Sequence, residues 1–149
     1  MRASGQARRG AARVTYTLPS SDTSPGWARY LTDAYLSHDR TGDVGREQIE
    51  DARIVVSELV TNATRHGSGN CLLRLTVRQG CVTVEVHDDS PAPPVLRELR
   101  VDSPLLAPES PEAVPESGRG IAMVRGLSRH FSVCRSPEDG KTVQAVLRD

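Results

Sequence analysis

A carboxylate, a carboxamide and an imidazole recur at four-residue intervals in the stretch 49–67: Glu58, Asn62 and His66. At about 100° per residue they line one side of a helix. A carboxylate can accept a proton from a hydroxyl or from water. A neutral amide one turn further on can offer its oxygen to a hard cation. The commoner role for such a row, a solvated shoulder beside an apolar stripe, is the alternative.

The same stretch supplies the means of positioning. Ala52, Val55, Val56, Leu59 and Ala63 gather on one face of the predicted helix, the pattern of a helix packed on a core. The polar row runs roughly 80–100° round from the middle of that face. It therefore lies where the helix meets either solvent or a pocket.

The elements around it can be read in order. Residues 1–13 carry Arg2, Arg8, Arg9 and Arg13 without an acid, which predicts a disordered basic tail. The domain is expected over 14–149, opening with a strand at 14–18. Ser24-Pro25 offers a cap and a proline at the first helical position, and Trp27, Tyr30, Leu31, Ala34 and Tyr35 recur at helical spacing as expected core. Residues 38–43 form a polar connection, with Asp43 as an expected cap. Two strands, 71–78 and 81–88, are joined at Gln79-Gly80 in a hairpin whose alternation buries one face.

The composition then changes. Seven of the ten prolines fall in residues 91–115, which excludes a long helix or a central strand there. A segment of this length inside a domain is expected to be a lid or an insert, and 91–117 is read as a lid. It leads into Gly118-Arg119-Gly120, where a helix start would present free N–H groups to a phosphate. Strands at 130–136 and 142–148 close the chain around a turn at 137–140. The order β-α-α-β-β-lid-α-β-β predicts an α/β (α+β) two-layer sandwich, a mixed, mostly antiparallel sheet with helices on one face.

Bulk properties exclude several classes. One domain of 149 residues can bury a real core, and the formal net charge is zero. Neither direct nucleic-acid binding nor an anionic membrane is therefore indicated. Aromatics are only 3%, too few for a base-stacking surface. No apolar run reaches transmembrane length and the first residues lack a secretory apolar segment, so a cytoplasmic location is expected. Cys71, Cys81 and Cys134 show no metal-type spacing and are expected to be buried small residues.

Several of these stretches together resemble the GHKL (histidine-kinase-like) ATPase superfamily over about residues 14–148. Glu58-Leu-Val-Thr-Asn62, continuing to His66-Gly67, is similar to the family's N-box. Val84-Glu-Val-His-Asp88-Asp-Ser90-Pro91 is similar to the strand that ends in the adenine-binding aspartate. Gly118-Arg119-Gly120-Ile121 is similar to the second glycine box, and Gly140-Lys-Thr142-Val143 to the final strand. Within the superfamily the chain looks most like the bacterial anti-sigma-factor serine/threonine kinases, actinobacterial members especially.

The resemblance implies the GHKL ATP-binding (Bergerat-type) fold, ATP and Mg²⁺ as ligands, and a role for each matching residue. Glu58 would be the general base and Asn62 the Mg²⁺ ligand. Asp88 and Thr142 would hold adenine, with Ser90 at the turn that follows the aspartate. Gly118, Arg119, Gly120 and Ile121 would form the phosphate loop. His66 would either line the nucleotide pocket or serve a structural role at the helix end. The implied partners are an anti-anti-sigma (STAS-type) protein and an RNA polymerase sigma factor, with a homodimer expected.

The pattern departs from the family at Asp88-Asp89-Ser90-Pro91, which stands where Asp-x-Gly-x-Gly is usual and makes a stiffer turn. That departure motivates the alternative of a regulator that binds partners with little or no chemistry. A loose similarity of Arg119-Gly-Ile-Ala to acetyl-CoA pyrophosphate loops leaves Glu58, Asn62 and Asp88 without a role.

Overall fold

The computed structural model describes residues 11–38, 44–66, 69–90, 116–136 and 138–148, with 66, 116–119 and 136 described in backbone only. Most of the expected basic tail, the Asp43 cap and the bulk of the expected lid lie outside the described residues. In chain order the elements are β1 (Ala12–Leu18), α1 (Ser24–Leu36), α2 (Arg46–His66), β2 (Cys71–Arg78), β3 (Cys81–Asp88), α3 (Glu116–Leu127), β4 (Ser128–Ser136) and β5 (Gly140–Leu147).

The strands form one sheet in the order β1-β2-β3-β5-β4, and all four pairings are antiparallel. Strict alternation decides which face is buried. Leu73, Leu75 and Val77 of β2, Val82, Val84 and Val86 of β3, and Val143, Ala145 and Leu147 of β5 share one core with the helices. The residues between them face away and, Val146 apart, are polar, so the architecture is the expected two-layer sandwich. At the β2–β3 turn Gln79 and Gly80 both take positive φ, 54° and 76°, which suits the right-handed twist of the hairpin.

Helix α2 is the centre of the helical layer. Val60 joins Ala52, Val55, Val56, Leu59 and Ala63 among its buried residues. The face is broad because the sheet, α1 and α3 all pack against this one helix. It begins at Arg46, ahead of the apolar periodicity, because Gly45 and Gln48 cap it. Ile49 N–H donates to the Gly45 carbonyl at 3.0 Å, and Gly45 N–H donates to Gln48 Oε1 at 3.2 Å. Gln48 Nε2 also donates to the Gly80 carbonyl at 3.0 Å, tying the helix start to the hairpin turn.

Three sequence expectations are corrected. The α1 cap is Thr23, and Ser24 is the first helical residue, its hydroxyl donating to the Pro19 carbonyl at 2.6 Å. The core face of α1 is the row Ser24, Ala28, Thr32 and Leu36, with Leu31 and Tyr35 packed partly against the core, so Trp27 (58% exposed), Tyr30 (64% exposed) and Ala34 lie outside. Small residues won that face because they let α1 approach α2 closely. The two aromatic rings instead meet edge to face, centroids 6.0 Å apart. Of the cysteines only Cys71 is buried, while Cys81 is half-buried and Cys134 exposed. Cys134 pairs with Thr142 on the edge strand β4, where the outward side chain meets no second layer.

Candidate functional site

The last residue of β3 is Asp88, and alternation turns it inward with Val82, Val84 and Val86. Its side chain is only 2% exposed, which for a lone carboxylate would be costly. Lys141 meets it from β5, itself 1% exposed, with Nζ 2.8 Å from Oδ2 and 3.0 Å from Oδ1. The Ser90 backbone N–H donates to Oδ1 at 2.8 Å, closing a turn over the strand end. Asp89 is exposed, so of the two neighbouring aspartates Asp88 is the one facing the core.

Register explains why lysine meets this aspartate. Asp88 stands opposite Lys141, and His87 stands opposite Thr142. Gly140 takes φ +90°, and a Cβ there would strike the Asp88 carbonyl oxygen and the Asp89 backbone. Only glycine lets β5 begin against the end of β3 in this way. The expected partnership of Thr142 with Asp88 is therefore not formed. Thr142 points to the open face, its Oγ1 2.9 Å from His87 Nδ1. One residue along a strand changes the face, and Lys141 is the residue that reaches Asp88. A signal for it was present in the sequence: it is the single lysine in a chain with 18 arginines.

On α2 the polar row is not a solvated shoulder. Asn62 is 4% exposed, and its Nδ2 has no hydrogen-bond partner among the described residues. Glu58 is half-buried and reaches the start of α3, where a Cβ on Gly120 would overlap its Oε1 and crowd the whole carboxylate. His66 is the last residue of α2, and its side chain lies outside the described residues.

Helix α3 starts at Glu116, so Gly118 lies in its first turn, where backbone N–H groups lack intrahelical acceptors, and Arg119 follows it. The Arg119 side chain is not among those described. Ile121 is 1% exposed and, with Val124, anchors α3 in the core. Its own side chain is thus a core group that fixes the helix start.

Beneath Asp88 lies the Cys71 thiol. Burial, and secondarily the Asp88 charge, push its pKa up to about 11. It is a neutral packing group at physiological pH.

The described constellation is thus a half-buried carboxylate (Glu58) beside a helix N-terminus (α3), a buried amide (Asn62), and an ion-paired carboxylate at a strand end (Asp88). Two open clefts lie elsewhere. One of about 510 Å³ lies between the C-terminal end of α1 and the first turns of α2, and one of about 470 Å³ lies on the outer face of the sheet. Neither is lined by Glu58, Asn62 or Asp88. Among the described residues no group of three or more His, Cys, Asp or Glu could hold a metal, and no helix is long and apolar enough to cross a membrane.

The family model for the histidine kinase-like ATPase domain matches residues 23–147. The chain is 31% identical over 135 residues to an anti-sigma F factor of Bacillus licheniformis, covering 87% of this chain and 86% of that protein. Its fold is similar to the crystal structure of the RsbU and RsbW domains of Rv1364c from Mycobacterium tuberculosis, with a TM-score of 0.63 at 17% identity. That match covers 92% of this chain, which spans 32% of the solved one, and it bears on fold alone. The chain belongs to the histidine kinase-like ATPase domain family, as an ATP-binding protein of the anti-sigma-factor type.

Proposed function

We propose that the protein is a cytoplasmic anti-sigma factor and protein-serine kinase that uses ATP. Its substrate would be a serine of an anti-anti-sigma protein of STAS type, and its captured partner an RNA polymerase sigma factor. The observation that carries this reading is the placement of Glu58 against Gly120, which puts a carboxylate beside the N-terminal turn of α3. Proton acceptor and phosphate-binding backbone thereby share one small volume.

In this reading the base lies at the end of β3, where Asp88 accepts a hydrogen bond from the adenine amino group. The phosphates lie toward α3, held by backbone N–H groups of its first turn, that of Gly118 among them, which helix geometry leaves without partners, with Arg119 beside them. Gly120 keeps the helix clear of Glu58. The serine hydroxyl oxygen forms its bond to the terminal phosphorus, the bond from that phosphorus to the bridging oxygen breaks, and ADP leaves. Glu58 takes the hydroxyl proton.

Asn62 suits a Mg²⁺ ligand. It is buried with its amide nitrogen unpartnered, and turning the amide by half a rotation presents the oxygen at the same place without losing a bond. The ion would neutralise phosphate charge when bound. A homodimer is also part of the proposal, and light scattering of the free protein tests it.

The test is transfer of radiolabelled phosphate from ATP to a cognate anti-anti-sigma protein. Transfer by the wild type and its loss in Glu58→Gln support the kinase. Nucleotide binding without transfer, identical in both, leaves the second reading, a regulator that acts by partner binding. Ser90-Pro91 in place of a glycine turn is what favours it.

A further inference from the structure

We propose that Lys141 is a base-binding residue that donates a hydrogen bond to ring nitrogen N1 of adenine, beside the bond that Asp88 accepts from the 6-amino group. The inference rests on the nucleotide-binding reading above and names a second atom of the base that the site recognises.

A carboxylate has about four lone-pair positions. On Asp88 the Ser90 N–H and Lys141 occupy Oδ1, and Lys141 alone occupies Oδ2. One acceptor position remains, on Oδ2. The Lys141 ammonium carries three N–H donors. At most two of them are taken up by the Asp88 oxygens, 3.0 and 2.8 Å from Nζ, and no other acceptor for Lys141 occurs among the described residues. A buried ammonium with an unused donor is costly unless something accepts from it.

The remaining acceptor and the remaining donor lie side by side, because Oδ2 and Nζ are 2.8 Å apart. A 6-aminopurine presents the complementary pair on its edge, an amino donor and the N1 acceptor on adjoining atoms. A 6-oxopurine in the same pose presents both reversed, with O6 toward the carboxylate and N1–H toward the ammonium. An acceptor–donor pair thus reads adenine at two atoms, where a lone carboxylate reads one.

Every other basic side chain of the Lys/Arg type in this protein is arginine. At the one position buried beside Asp88 the chain uses the compact ammonium, whose donors form a tetrahedral point charge. A planar guanidinium would engage both carboxylate oxygens with two parallel bonds and carry its other donors away from the base edge.

The experiment compares calorimetric binding of ADP and of 1-deaza-ADP, in which N1 is replaced by C–H. Wild-type protein is expected to bind 1-deaza-ADP roughly 10- to 100-fold more weakly, the worth of a hydrogen bond to a charged group. Lys141→Met is expected to bind ADP more weakly and to lose the difference between the two ligands. A purely structural lysine would not produce that coupling. Equal binding of both ligands by the wild type overturns the proposal and leaves Lys141 as the counter-ion of Asp88. Failure of ADP itself to bind overturns the nucleotide reading and this one together. The wild-type comparison decides even where Lys141→Met does not fold.

Discussion

A Cβ on Gly120 would occupy the position of Glu58 Oε1. Helix α3 and the proposed general base are therefore in contact through a residue that has no side chain. Gly120→Ala gains about 1 kcal/mol of helix propensity, and the atom it strikes is the far end of a flexible side chain that can swing away. Unfolding by denaturant should show stability close to or above that of the wild type. Phosphoryl transfer should fall by about 100-fold or more, the scale of a lost general base. Loss of stability together with activity would mean that Glu58 cannot move and that Gly120 is structural.

The ion pair between Asp88 and Lys141 predicts strong non-additivity. Lys141→Met leaves a buried carboxylate without its cation, at a cost of about 3–5 kcal/mol. Adding Asp88→Leu replaces the pair by apolar groups and should restore much of that loss. A double-mutant cycle by urea denaturation checks it. Simple additivity would show that the two charges are stabilised independently.

Gly140→Ala should be among the more damaging single-methyl additions in the sheet. Its φ of +90° is unfavourable for alanine by about 1–2 kcal/mol, and its Cβ meets backbone that cannot swing aside. A thermal melt reads the loss. Because β5 would shift against β3, the same variant should also weaken ADP binding.

The cysteines should separate by reactivity and pH. Cys134 is exposed and should react with a thiol reagent in the native state at pH 8, while Cys71 should not. The Cys71 value is raised from the 9.0 of a free thiol to about 11, so the fold favours the neutral form. Its contribution is fully present below the unfolded value and declines as pH rises from about 9 toward 11. Stability profiles of wild type and Cys71→Ala over that interval should converge at the alkaline end.

Most of the fold was legible because its signals are local. Alternation in 71–78 and 81–88 gave both strands and their turn, and the periodicity of 52–63 gave the face of α2. The site was legible where a helix or strand repeats a spacing, which is how Glu58 and Asn62 line up. What could not be read depends on partners distant in sequence. The face of α1 was decided by how closely it approaches α2, a property carried by Ala28 and Thr32 that the aromatic spacing of Trp27 and Tyr30 obscured. Thr142 looked like the neighbour of Asp88, but a one-residue offset in β3–β5 pairing gives that place to Lys141.

The burial of Lys141 has a practical corollary. Apart from the α-amino group, this chain carries one primary amine, and the fold encloses it. Amine-directed reagents should therefore react slowly with Lys141 in the folded, nucleotide-free protein, where Asp88 holds its ammonium. Acylation of Lys141 by such a reagent becomes a clock for opening of the sheet beside α2, one that can be read by peptide mapping.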